Sequence, residues 1–189
     1  MKYSELHSVI PIEKLRSLLS YDRNTGLLTW KFRTPDMFEH TGRRSRDARC
    51  KTWNSRYAGT EALACIDNWG YKHGHVLDFK VLAHWACWAL ENRSWPEHPI
   101  DHINMVRTDN RASNMRKANK SENMCNRVKQ SNNTSGHKGV YWDKRYEKWV
   151  CRVTKGGKVQ FYFSSKNLLE ASEKYKEMAE KIHGEFFNA

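Results

Sequence analysis

The sequence predicts an α+β protein that ends in a three-stranded antiparallel sheet packed on one helix. Three observations carry that reading. Residues Val140–Trp142, Lys148–Thr154 and Lys158–Phe163 are runs of β-branched and aromatic residues, separated by Asp143–Glu147 and by Lys155-Gly156-Gly157. The Gly-Gly pair suits a tight hairpin, because both central residues of such a turn take positive φ. From about residue 166 to 183, Leu168, Ala171, Tyr175, Met178, Ala179 and Ile182 recur at helical spacing and form a stripe that covers one sheet face. A polar stretch, Gln130–Gly136, sets this part off from what precedes it.

The earlier elements are shorter. Residues 12–19 read as a helix, Tyr21–Gly26 as a turn and Leu27–Phe32 as a strand. Residues 34–56 hold Arg43, Arg44, Arg46, Arg49, Lys51 and Arg56 without clear periodicity. They read as a loop, of the kind that a phosphate backbone would order. Tyr71–Phe79 reads as a strand weakened by Gly74. Val81–Leu90 reads as a helix with Leu82, Trp85, Ala86 and Ala89 on one face. Pro99–Ile103 is a short extended segment, Asp109 a start signal for a turn over 111–116, and Ser121–Met124 a helical piece. These elements divide the chain at 1–70, 71–129, 130–136 and 137–189: a region with small strands, a middle region, a linker, and the closing sheet with its helix.

Charge narrows the partner. The 189 residues include 33 basic and 21 acidic side chains, for a formal charge of +12. Such an excess favours a polyanion, either nucleic acid or an acidic membrane surface. Between residues 102 and 158 there are 14 Lys or Arg against 4 Asp or Glu, whereas 164–183 balances four against four. The charge therefore gathers on the sheet and linker, away from the last helix. Five cysteines, at 50, 65, 87, 125 and 151, form no CxxC pair. Neither a disulfide framework nor a zinc knuckle is indicated. The first twenty residues lack a leader pattern, and Val81–Leu90, broken by His84, is too short for a bilayer. A cytoplasmic protein with no membrane partner is expected.

The chemistry centres on Asp101-His102, Asn114 and Asn123. Cutting a phosphodiester needs a base for water, neutralisation of phosphate charge and stabilisation of the departing oxygen. An imidazole can serve as the base, and a divalent ion on oxygen ligands can supply the rest. Neighbouring strand residues face opposite ways, so Asp101 and His102 can act on one centre only where the strand twists or ends. His84, on a tryptophan-rich helix, reads as a packed structural histidine rather than a ligand. Nothing assigns roles to His73, His75 or His98.

The run from Ile100-Asp101-His102-Ile103-Asn104 through Asp109-Asn110-Arg111-Ala112-Ser113-Asn114-Met115-Arg116 to Ser121-Glu122-Asn123 resembles the HNH endonucleases of the His-Me finger superfamily, most closely the phage and intron homing branch. Gly26–Trp30, Trp53-Asn54 with Ala58-Gly59, and His84–Leu90 with Trp95-Pro96 resemble the region those proteins place before the motif. The resemblance implies a ββα-metal core with His102 as general base and Asn114 bracing the loop and orienting the base. It implies Asp101 and Asn123 as ligands of one Mg²⁺ or Mn²⁺ per active site. Asn123 stands where many relatives carry histidine, Met105 where glycine is usual, and Trp85 where arginine commonly follows the helix histidine.

Gly139–Trp142, Lys148–Val153 and Phe161–Phe163 resemble the AP2/ERF-type DNA-binding domain, a sheet that lies in the major groove. Alternation puts Trp149, Cys151 and Val153 on one face and Val150 with Arg152 on the other, and Trp142 and Trp149 read as core. The DNA-contact candidates are Arg43, Arg44, Arg111, Arg116, Lys144, Arg145, Lys148, Arg152, Lys155 and Lys158. The expected function is a site-specific phage homing endonuclease acting on double-stranded DNA as a monomer or dimer. It would leave 5′-phosphate and 3′-hydroxyl ends, by a nick or a double-strand break. The alternative is a DNA-binding protein or repressor that does not cut. A structural RNA-binding protein fits less well, since the core offers no single-strand stacking platform.

Overall fold

The computed structural model describes residues 3–40, 44–126 and 132–188, which form a mixed α+β fold of two compact units, residues 1–117 and 118–189. Arg43 lies outside the described residues.

In the first unit, α1 (Tyr3–Val9) and α2 (Ile12–Leu18) lead into a hairpin of β1 (Leu19–Asp22) and β2 (Leu27–Trp30), in register from Leu19 opposite Trp30 to Asp22 opposite Leu27. Helix α3 (Arg46–Tyr57) follows. An antiparallel sheet of β3 (Cys65–Ile66), β4 (Lys72–Val76) and β5 (Phe79–Leu82) precedes α4 (Ala83–Asn92). A short arm of β6 (Ile100–His102) and β7 (Met115–Lys117) completes the unit. The core joins Leu6, Ile10, Leu15, Leu18 and Leu28 to Val76, Val81, Ala86 and Ala89, and reaches Ile100 and Met115 in the arm. The buried Trp95 indole donates to the Ile10 carbonyl at 2.8 Å, tying the chain after α4 to the amino-terminal helices. The residues of the arm that flank the candidate site are thus anchored in the main core.

The structure differs from the sequence reading at three places here. Residues 71–79 are not one strand: Leu77 and Asp78 both take positive φ, +49° and +67°, and turn β4 back into β5. Val81 and Leu82 therefore belong to the second arm of that hairpin, and α4 starts at Ala83. The segment read as a loop over 34–56 holds all but the last residue of a twelve-residue helix. Ser45 caps it, its side chain accepting from the Ala48 amide at 3.2 Å. Its inward positions are Cys50, Trp53 and Asn54, so the helical period is carried by one thiol, one indole and one amide rather than by aliphatic residues.

In the second unit, α5 (Lys120–Cys125) begins with a capping box of Asn119 and Glu122. Strands β8 (Val140–Asp143), β9 (Lys148–Lys155) and β10 (Lys158–Ser165) form an antiparallel sheet in the order β10-β9-β8, and α6 (Leu168–His183) packs on it. Val140, Cys151 and Ala171 form the centre of this core, with Trp149, Phe161, Phe163, Leu168 and Tyr175 packed around them. A Cβ on Gly139 would stand 2.1 Å from the Tyr175 ring, so only glycine lets the chain enter β8 beneath that ring. Trp149 is core as expected. Trp142 is 40% exposed and meets Trp149 edge-on, with ring centroids 5.0 Å apart. It stands one residue before the end of β8 and is not part of the cluster around Val140, Cys151 and Ala171. Among the described residues, no helix is long and apolar enough to cross a membrane.

Candidate functional site

Strands β6 and β7 pair Asp101 with Arg116 and His102 with Met115. Strand β6 ends at His102, and the loop that returns the chain is held by side-chain hydrogen bonds of asparagine and aspartate. Asn104 accepts from the Val106 amide at 2.9 Å and donates to the Asp109 carboxylate at 2.7 Å. Asn114 is 6% exposed; its Oδ1 accepts from the Asn104 amide at 2.9 Å and its Nδ2 donates to the Asp109 carbonyl at 2.7 Å. One amide side chain thus spans both limbs of the loop. The Arg111 guanidinium, 2.6 Å from Asp109, holds that carboxyl at about 2, well below the usual range. Met105 takes φ +62°, the left-handed conformation that glycine adopts without strain.

His102 is buried, 4% exposed. Its Nε2 lies 3.0 Å from Oδ1 of Asn110, a residue only 2% exposed. A carbonyl oxygen only accepts, so this contact puts the ring proton on Nε2 and the basic lone pair on Nδ1. Asn110 is itself held: its carbonyl accepts from the Tyr21 hydroxyl at 2.8 Å, and the Ala112 amide donates to the Arg23 carbonyl at 2.9 Å. The β1–β2 hairpin therefore sets the position of the residue that orients His102.

On the same strand Asp101, 5% exposed, meets the Arg116 guanidinium. Nε donates to Oδ2 at 3.0 Å, and Nη2 stands 2.9 Å from the same oxygen as an ion-pair contact. Arg116, expected at the DNA surface, thus has a side chain only 11% exposed.

The His102 ring packs against Tyr71 and, edge-on, against His84, with centroids 6.0 and 5.3 Å away. Burial lowers His102 below the ordinary histidine range, opposed first by the Asn110 contact and then by the Asp101 carboxylate. Burial, reinforced by His102, pushes His84 down to about 3, and its Nδ1 is buried without a hydrogen-bond partner. Both rings are neutral in the folded protein. The unfolded chain takes up protons below about pH 6.5, so the stability present above that pH is lost as pH falls toward the folded value. His84 alone is expected to remove about 2 kcal/mol between pH 6.5 and 5. Urea unfolding at pH 7 and pH 5 checks this: His84→Leu should flatten the decline, and an unchanged decline in that variant would refute the assignment.

The remaining candidates are scattered. Arg44 is exposed just ahead of the Ser45 cap, and Arg111 is exposed but paired with Asp109. In the second unit Lys144 and Lys158 are exposed, and Lys148 is half-buried. Arg145 lies over the Tyr146 ring at 5.3 Å and Arg152 over Tyr141 at 5.3 Å. Lys155 donates to the Ile182 carbonyl at 2.8 Å, on the last turn of α6. Asn123 lies in α5, half-buried, its amide donating to the Asn119 carbonyl at 3.0 Å. Sequence reasoning passed over Asn110, Tyr21 and Tyr71. Asn110 stands eight positions from His102 in a run of polar residues, and no local signal separates it from the other asparagines.

Among the described residues no three His, Cys, Asp or Glu side chains cluster as an all-protein metal cage would require. The donor at hand is a buried carboxylate beside a cation, a hard oxygen ligand whose present counter-charge is Arg116. That fits a hard divalent ion that keeps most of its coordination for water and phosphate.

A family model described as HNH endonuclease matches residues 81–125, from β5 to α5. Protein 3.8 of Escherichia phage T7 is 36% identical over 104 residues, which cover 54% of this chain and 85% of that protein. No solved structure matches the chain significantly.

Proposed function

The chain belongs to the family of Protein 3.8 of Escherichia phage T7 and carries an HNH endonuclease domain, and from this premise we propose that it is a metal-dependent endonuclease that hydrolyses double-stranded DNA. The observation that carries the reading is the held imidazole: His102 at the end of β6, fixed through Nε2 by Asn110, beside a buried carboxylate. Nδ1 of His102 takes the proton of the attacking water. Asn110 keeps the ring in one tautomer throughout, and Asn114 keeps the loop from spreading as DNA enters. On the resemblance, Asp101 is a residue that would hold Mg²⁺ or Mn²⁺ in a ββα-metal core. When bound, the ion neutralises phosphate charge and stabilises the leaving oxygen, giving 5′-phosphate and 3′-hydroxyl ends.

The exposed cations Arg44, Lys144, Arg145, Arg152 and Lys158, with the half-buried Lys148, supply the attraction for DNA, the later ones from an AP2-like sheet. A homing role, in which this sheet supplies the address and the HNH domain the cut, completes the proposal. One chain per site gives a nick, and two give a double-strand break.

A second reading, a DNA-binding protein that does not cut, is favoured by one observation: Asp101 and His102 are both almost closed to solvent. Incubation of the full chain with phage genomic DNA and Mg²⁺, with mapping of the ends, separates the two. His102→Ala is expected to reduce scission by 10²–10⁴-fold, the range of a lost general base, while leaving DNA affinity within about twofold. Equal scission by the variant, or none by either protein, removes His102 from the chemistry.

A further inference from the structure

Helix α3 buries only Cys50 of its twelve residues. A helix of this length is marginal alone, so something other than a broad apolar stripe must hold it. The hold is one narrow edge. Asn54 and Arg33 exchange two hydrogen bonds, Arg33 amide to Asn54 Oδ1 at 2.9 Å and Asn54 Nδ2 to Arg33 carbonyl at 2.8 Å. The Arg33 guanidinium lies 3.7 Å from the Trp53 ring centroid, and Trp53 meets Trp30 edge-on at 5.8 Å. Cys50, Trp53 and Asn54 thus fix the helix to the chain after β2.

The opposite face is left to solvent. Ala48, Lys51, Thr52, Ser55 and Arg56 recur at i, i+3, i+4, i+7 and i+8, are all exposed, and line one shallow open concavity. Their arrangement is specific. Ala48, Thr52 and Ser55 are small and form the centre, letting another surface approach the helix closely. Lys51 and Arg56 stand on either side. Thr52 Oγ1 is already bonded to the Ala48 carbonyl at 2.8 Å. Along the helix Arg46, Arg49, Lys51 and Arg56 oppose only Asp47, and Arg44 precedes the cap. A solvated helix face normally mixes long polar residues of both signs; this one has a small-residue ridge between cations.

We propose that α3 is a recognition helix that enters the major groove of duplex DNA, with Lys51 and Arg56 on the groove walls and Ala48, Thr52 and Ser55 against base edges. It rests on the reading of the chain as acting on DNA. The fit is physical. Twelve residues span about 18 Å, and a helix fills a groove about 12 Å wide. Methyl groups of alanine and threonine contact thymine methyls, serine bonds either base, and lysine and arginine reach guanine or phosphate. The clamp by Arg33 fixes the helix in advance, so little order is lost on binding.

The test uses the full chain carrying His102→Ala, selected against a randomised duplex library, with affinity measured over a range of salt. Lys51→Ala/Arg56→Ala is expected to weaken binding by at least tenfold and to lower the salt slope by about two. Ser55→Glu is expected to change the selected bases at two or three adjacent positions. Both changes are at exposed sites, and far-UV circular dichroism verifies the helix; Lys51→Gln/Arg56→Gln repeats the measurement should the alanine pair melt early. Affinity within twofold and an unchanged selected site in these variants would overturn the proposal. Weaker binding with the same selected site would overturn base reading and leave α3 a phosphate contact only. Scission is scored separately in the chain with His102 intact. An α3 effect without scission sinks the catalytic reading alone, and scission with no α3 effect sinks this proposal alone.

Discussion

Gly26→Ala is expected to cost the first unit about 3 kcal/mol and to slow DNA scission by roughly 10²-fold. Gly26 closes the β1–β2 turn at φ +77°, and an added Cβ would stand 2.6 Å from the Arg111 amide nitrogen and 2.7 Å from the Asn110 carbonyl carbon. Both obstacles are backbone, so neither can swing aside as a side-chain tip would. The hairpin must back away or the Asn110 segment must move. Either movement breaks the Tyr21 hydrogen bond to Asn110 and shifts the oxygen that holds Nε2 of His102. Burial pushes the Tyr21 phenol well above its ordinary value, so it remains a donor at every working pH.

A control isolates the cause. Gly59 also has positive φ, +80°, but nothing lies within 4 Å of its added Cβ. Gly59→Ala should therefore cost only the conformational strain, about 1 kcal/mol, and leave scission unchanged. Thermal unfolding and initial cleavage rates of both variants make the comparison. Equal losses at the two glycines would show that the hairpin does not support the site.

The same contact shows what a linear reading can reach. Of the β1–β2 hairpin only the turn and the strand after it were legible, from the turn residues, while β1 was divided between the helix and the turn. The last sheet and helix were legible from alternation and helical period, since each is decided by a few neighbours in sequence. Asp101, His102 and Asn114 stood out because their spacing resembles a known motif. Asn110 and Arg116 did not, because their roles depend on partners at a distance: Asn110 on Tyr21, 89 positions away, and Arg116 on Asp101 across a strand pair. Arg116 read as a surface cation since nothing in its neighbourhood announces burial. Helix α3 was missed for a related reason. Its inward edge is held by Arg33, a charged residue, through backbone exchange and ring stacking, and hydrophobic periodicity carries no mark of either.

Arg116→Met is expected to cost about 3–5 kcal/mol, because it leaves the Asp101 carboxylate buried without its counter-charge. Methionine keeps most of the volume and the apolar stem, so the loss reports the ion pair rather than a cavity. The second variant, Asp101→Asn with Arg116→Met, removes the stranded charge and should recover at least half of that loss, a coupling that a packing defect at Arg116 would not show. Added Mg²⁺ gives a further reading without reference to cleavage. If Asp101 is an ion ligand, a divalent cation can take the place vacated by the guanidinium. In that case 10 mM Mg²⁺, at a dissociation constant of about 1 mM, should return about 1.4 kcal/mol to Arg116→Met, and little to the double variant. Urea unfolding of the three proteins with and without Mg²⁺ supplies all the numbers. A single variant as insensitive to the ion as the double one would mean that Arg116 neutralises a structural carboxylate, and that the cation needed for phosphodiester cleavage is held elsewhere in the chain.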